Sequence, residues 1–128
     1  MNEQRQYATS GSPYEEQYGF SRAVRVGRHI HVAGTAPIWP DGSCNPDPAT
    51  QARRCFDIIR KALAEVGSGT DDVVRTRMYI TDAAWASAVG EVHGEVFGTC
   101  RPAATMVVVA GLLDPAWKVE IEATALVP

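Results

Sequence analysis

The run Lys118-Val-Glu-Ile-Glu-Ala-Thr-Ala-Leu-Val127 constrains the fold of this chain more than any other stretch. Val119, Ile121, Ala123 and Ala125 fall on one side and Glu120, Glu122 and Thr124 on the other, the period-two pattern of a half-buried strand. Such a strand needs neighbours on both edges and a layer over its apolar side. Glutamate is depleted in strands and is rarely buried without a partner. The carboxylate side must therefore meet water, a cation or another subunit.

A second β-rich run, Arg101-Pro-Ala-Ala-Thr-Met-Val-Val-Val-Ala110, comes just before. It places Ala104, Met106 and Val108 on one side and Thr105, Val107 and Val109 on the other. Gly111, Asp114 and Pro115 lie between the two runs, which predicts an antiparallel hairpin with a long loop.

Upstream, residues 1–17 carry Gly11, Ser12 and Pro13 with few aliphatics and read as a loosely ordered N-terminal arm. Val24 and Val26, then Ile30 and Val32, alternate with polar residues around Gly27-Arg28, a β-hairpin pattern. The loop Trp39 to Pro48 is rich in turn formers. Ala52, Cys55, Phe56, Ile59, Leu63 and Val66 then recur at helical spacing, with Gly67 as the stop. Asp71 to Thr81 reads as a strand with Val74, Thr76, Met78 and Ile80 on one face and Val73, Arg75, Arg77 and Tyr79 on the other. A second helix is predicted from an Asp82 cap to about Phe97. The order is ββαβαββ, an α+β domain over residues 1–128 with two helices on one face of a mixed sheet.

At 128 residues the chain supports one core. Its net charge of −3 argues against a basic nucleic-acid surface. The polar start and the lack of any apolar run near about twenty residues predict neither a signal peptide nor a membrane span. Cys44, Cys55 and Cys100 are an odd count without metal-ligand spacing, so reduced thiols in a cytoplasmic protein are expected. His29 and His31 alternate on one strand with no third ligand apparent, and neither metal nor cofactor is expected.

Four segments resemble one known family. Gly19-Phe-Ser-Arg-Ala23, Ala33-Gly-Thr-Ala-Pro37 and Pro102-Ala-Ala-Thr-Met106, with the terminal Val119-Glu-Ile-Glu-Ala123, look like the RidA/YjgF family, also called endoribonuclease L-PSP. The resemblance spans roughly residues 18–127. It implies a chorismate-mutase-like (YjgF-like) fold, a homotrimer around a central barrel, and small-molecule clefts between subunits. It also implies that Glu120 is the active-site glutamate, which positions water or moves a proton on an imine or enamine.

The departures are chemically large. Phe20 stands where the family often has tyrosine and Ala33 where it has serine. In the imine deaminases a Pro-Ala-Arg-Ser-Cys run supplies an arginine for the substrate carboxylate; here Ala104 takes that place and Met106 that of the cysteine. Alanine cannot make a bidentate carboxylate contact.

The candidate site is thus Glu120 as the acid–base group, with Phe20, Ala33, Gly34, Ala104 and Met106 lining the pocket. Arg22, Arg77 and Arg101 are candidates to contact an anionic group. His93, on the second helix, is either a packing residue or an acid–base group.

Two functions of different class follow. One is an enzyme like the 2-iminobutanoate/2-iminopropanoate deaminases, a hydrolase or tautomerase with an altered, less charged substrate. The other is a non-catalytic trimer that binds a small molecule or a protein. Ribonuclease activity is a third reading, disfavoured by the acidic balance.

Overall fold

Capping residues open three of the helical elements in this chain. The structure, a computed structural model, describes residues 4–128. Its first elements replace the loosely ordered arm expected over 1–17, of which residues 1–3 lie outside the described residues. Strand β1 (Arg5–Ala8) pairs antiparallel with the next strand and buries Ala8. Helix α1 (Pro13–Tyr18) follows, with Ser12 accepting the Tyr14 N–H, Pro13 at the first helical position and Gly19 ending it at φ 73°. A capping hydroxyl, a proline with its φ preset and a left-handed glycine are enough to form this short helix against the sheet.

Strands β2 (Ala23–Val26) and β3 (His29–Thr35) form the expected hairpin. Helix α2 (Pro48–Glu65) begins at an Asp47 cap that accepts the Thr50 N–H. It buries the predicted face of Ala52, Cys55, Phe56, Ile59 and Leu63, and adds Gln51. Strand β4 (Val73–Ile80) leads through a 3-10 turn at Ala83–Trp85 into helix α3 (Ala86–Phe97). Strands β5 (Ala103–Val108) and β6 (Val119–Leu126) complete the chain.

Two expectations are corrected. β5 and β6 are not a hairpin: the sheet order is β1-β2-β3-β6-β4-β5, with β5 parallel to β4 on the edge and β6 antiparallel to both β3 and β4. The apolar alternation of β6 asks for two neighbours, and β4 supplies the second once α3 has carried β5 to the outer edge. The faces of β4 also differ at its start. A register shift between Val73 and Arg75 buries Val73 and leaves Val74 47% exposed, so Val74 does not share the face of Thr76, Met78 and Ile80.

The six strands described make a mixed sheet with α2 and α3 over one face, the α+β architecture expected. Between the layers, Ile30, Val32, Met78, Ile80, Val119 and Ile121 meet Phe56, Ile59, Leu63, Val89, Val92 and Phe97. Each large side chain buried there contributes about 1.5–3 kcal/mol. Phe56 and Phe97 meet edge-on with centroids 5.4 Å apart, a favoured aromatic geometry. Among the described residues no helix lies over the other face of the sheet.

Candidate functional site

The alternation of β6 and its register fix which side chains meet on the uncovered face. Glu120 lies opposite Tyr79, Glu122 opposite Arg77 and Thr124 opposite Arg75. Arg77 approaches Glu122 Oε1 at 3.2 Å, and the Tyr79 hydroxyl donates to the same oxygen at 3.0 Å. Both near donors on β4 are therefore taken by Glu122, which leaves Glu120 without them. Alongside, His31, Arg75, Arg77, Glu122 and Thr124 line a groove of about 140 Å³.

The partner of Glu120 is a backbone irregularity. The β3–β6 ladder runs regularly through Val32↔Ala123 and resumes at Thr35↔Ile121, so the register shifts across Ala33 and Gly34. The shift brings Gly34 against the carboxylate: a Cβ built on it would lie 2.8 Å from Glu120 Oε2. Glycine is needed here for close approach.

Burial pushes the Glu120 carboxyl above the usual carboxylate range, an effect that Arg22 opposes and Glu122 reinforces. A half-buried carboxyl whose surroundings favour its neutral form can both donate and accept a proton, as general acid–base work requires.

Arg22 is 8% exposed and turned inward. Its Nη1 donates to the Gly34 carbonyl at 3.0 Å, its Nε lies 3.8 Å from Glu15 Oε2, and its guanidinium rests over the Phe20 ring at 5.6 Å. That Nε is buried and has no hydrogen-bond partner among the described residues. Glu15, 5% exposed, is held by the hydroxyls and a backbone N–H of Thr9 and Ser10. Burial raises its pKa, but those hydrogen bonds and Arg22 outweigh that and hold it below the usual range.

The remaining candidates are dispersed within one chain. Phe20 is 41% exposed at the end of α1, beside a hollow lined by Tyr7, Glu15, Glu16 and Ser21. Ala104 pairs in register with Thr76 and Met106 with Met78, so both lie on the helix-bearing side of the sheet, opposite Glu120. Arg101 is an exposed residue with φ 53° whose N–H donates to the Phe97 carbonyl, closing the end of α3. His93 packs between Phe56 and Phe97, with centroids 6.0 and 4.7 Å away, and its Nε2 hydrogen-bonds the Thr76 hydroxyl at 2.8 Å. Burial holds its pKa below the ordinary histidine value.

The comparisons with known proteins bear on this arrangement. The family model described as endoribonuclease L-PSP matches residues 12–127, the whole span from the α1 cap to the end of β6. The chain belongs to this family. A curated relative, an uncharacterized protein of Streptomyces coelicolor, is 39% identical over 117 residues, covering 91% of this chain and 87% of its own. A RutC family protein of Pyrococcus abyssi is 35% identical over 95 residues, 73% of this chain and 75% of its own. Among solved structures, a YjgF/YER057c/UK114 family member from Mycobacterium tuberculosis superposes with TM-score 0.89 at 44% identity, covering 97% of this chain and 100% of that one. A crystal structure from Thermotoga maritima described as a putative endoribonuclease gives TM-score 0.82 at 29% identity, over 95% and 92% of the two chains.

Sequence reasoning missed Glu15, Gln51 and Tyr79. Glu15 carried a signal, since Ser12-Pro-Tyr-Glu15 has the spacing of a helix capping box, although here Glu15 turns to Ser10 and Thr9 instead. Gln51 lies on the apolar stripe of α2, where a polar residue predicts buried hydrogen bonds. The alternation put Tyr79 on the face of Arg75 and Arg77, but nothing in the sequence marks its hydroxyl as a donor to Glu122. Among the described residues no helix is long and apolar enough to cross a membrane, and no three His, Cys, Asp or Glu side chains gather as metal ligands.

Proposed function

We propose that this endoribonuclease L-PSP family member acts on a small imine, enamine or related carbonyl compound, with Glu120 as the acid–base residue. The observation that carries this reading is Glu120 itself. It sits half-buried on the central strand, against the Gly34 backbone, with the neighbouring Tyr79 and Arg77 both engaged by Glu122. Protonated, the carboxyl can donate to an imine nitrogen; ionised, it can take a proton from the attacking water.

The substrate inferred is not a typical 2-imino acid. Ala104 offers no cation, and Arg22 and Arg77 are already committed to Gly34 and Glu122. With Phe20, Ala33, Ala104 and Met106 as its lining, a neutral or weakly polar compound is favoured. These residues lie on both sides of the sheet in one chain, so a cleft that uses them all requires a neighbouring copy. We infer a homotrimer with its clefts between subunits, in which the uncovered sheet face is buried.

The test is ammonia release by the purified protein from freshly generated 2-iminopropionate and 2-iminobutyrate and from a neutral imine, beside Ala104→Arg and Glu120→Gln. The expected outcome is turnover of the neutral imine, loss of it in Glu120→Gln by about 10²-fold or more, and gain on the imino acids in Ala104→Arg. Silence of wild type and Ala104→Arg on all three favours a non-catalytic binding trimer, the second reading, for which the engaged arginines are the supporting observation. Cleavage of RNA by the same preparation, lost in Glu120→Gln, would overturn both.

A further inference from the structure

The N-terminal cap and the candidate acid–base residue are joined through one buried guanidinium. Arg22 stands just before β2, where its backbone N–H donates to Ala8 of β1 and its carbonyl accepts from Ala33 at the irregularity of β3. Its side chain bonds the carbonyl of Gly34, the residue that abuts Glu120, and approaches Glu15 of α1 from the other direction. A cation 8% exposed is costly to bury unless carboxylates share it. Glu15 and Glu120 are the carboxylates whose charges act on it favourably, with the Cys55 thiol a smaller third influence.

We propose that Arg22 is a positioning residue rather than a ligand contact, and that the β1–α1 cap sets the surroundings of Glu120 through the Arg22 guanidinium, which lies between Glu15 and the Gly34 carbonyl beside Glu120. The inference deepens the proposed role of Glu120 and rests on it for its functional meaning. Its geometric content is the run of contacts from Glu15 to Arg22 to the Gly34 carbonyl, with Gly34 abutting Glu120. The Arg22 bond to Gly34 O holds the backbone that shapes the Glu120 pocket, and the cap holds Arg22.

The groups that bear on Glu120 come from several elements. They are Arg22 beside β2, Glu122 on β6, Tyr79 on β4 and the buried Cys55 thiol of α2. Arg22 is the cation among them and is the one that Glu15 contacts. Glu15 in turn is fixed by Thr9 and Ser10, so its charge is anchored to the segment between β1 and α1. Movement of that segment changes how much of the Arg22 field reaches Glu120.

The test reads the Glu120 carboxylate directly, by carbon-13 NMR titration of the full chain, and does not depend on turnover. Arg22→Gln is expected to move the Glu120 midpoint up by roughly one pH unit, the scale of losing a neighbouring opposite charge. Glu15→Gln is expected to move it down, by less, since Arg22 then serves Glu120 alone. In the double variant Glu15→Gln should add little to Arg22→Gln, because its influence passes through Arg22. An unmoved midpoint in Glu15→Gln, an upward one, or a full additive shift in the double variant overturns the proposal. If Arg22→Gln does not fold, the downward shift in Glu15→Gln decides alone. Imine turnover in the same variants separates the two readings: shifts as expected with no activity in wild type sink the enzyme, not the linkage.

Discussion

Gln51 is fully buried on the core side of α2, yet every polar atom of its amide is used. Its Nε2 donates to the carbonyls of Asn45 at 2.8 Å and Ala116 at 3.0 Å, and its Oε1 accepts the Lys118 N–H at 2.8 Å. One side chain thereby ties the loop before α2 and the loop after β5 to the entry of β6, two residues before Glu120. Gln51→Leu keeps the volume and strands three backbone groups. A stranded group costs about 1–3 kcal/mol. Asn45 and Ala116 are exposed and can turn to water, so about 1 kcal/mol each is reasonable, against about 2 for the half-buried Lys118 N–H. The added apolar burial of leucine returns about 1 kcal/mol. The net loss is about 3 kcal/mol, which for a chain of 128 residues lowers Tm by roughly 10 °C. Thermal unfolding by circular dichroism at one fixed protein concentration is the assay, because association also moves Tm. A drop smaller than about 3 °C would refute the reasoning, showing that the loops re-solvate without cost.

Gly34→Ala places a Cβ against the flexible end of Glu120, so the carboxylate swings away while the backbone stays. The expected result is a Tm change below about 3 °C with at least tenfold loss of turnover; a large Tm loss with normal activity would contradict it. His93, whose folded pKa lies below its unfolded value because it is buried, contributes stability in its neutral form. That stability is present above the ordinary histidine range and is lost as pH falls through the folded value, since the unfolded chain binds the proton first. Denaturant unfolding from pH 7.5 to 5 should show this slope, and His93→Gln should flatten it.

The strands and helices whose apolar residues follow one period were legible from the sequence. The apolar faces of α2 and β6 read correctly, because burial on one side leaves a period of 3.6 or 2 in the composition, though the buried Gln51 of α2 did not. Where pairing is non-local the sequence was silent. The pattern of β5 and β6 is compatible with a hairpin, and only the competition of β4 for the edge of β6 rules it out. α1 was written in its Ser-Pro-x-Glu start and Gly19 stop, but the polar composition of the arm outweighed it. At the site, the closeness of Gly34 to Glu120 depends on a register shift in β3, which alternation cannot show. The inward turn of Arg22 was hidden for a different reason: a buried arginine is rare enough that the residue type alone argues for the surface.

The place of β6 in the sheet governs when the domain can exist during synthesis. It follows every other element in the chain yet lies between β3 and β4, which do not pair with each other. Until it arrives, the strands form two separate pieces, β1-β2-β3 and β4-β5, each with a row of unpaired backbone N–H and C=O groups facing the gap. From the completion of β4 until β6 is made, a nascent chain therefore carries two unsealed edges, and these are where chaperone binding and mispairing with other chains should concentrate.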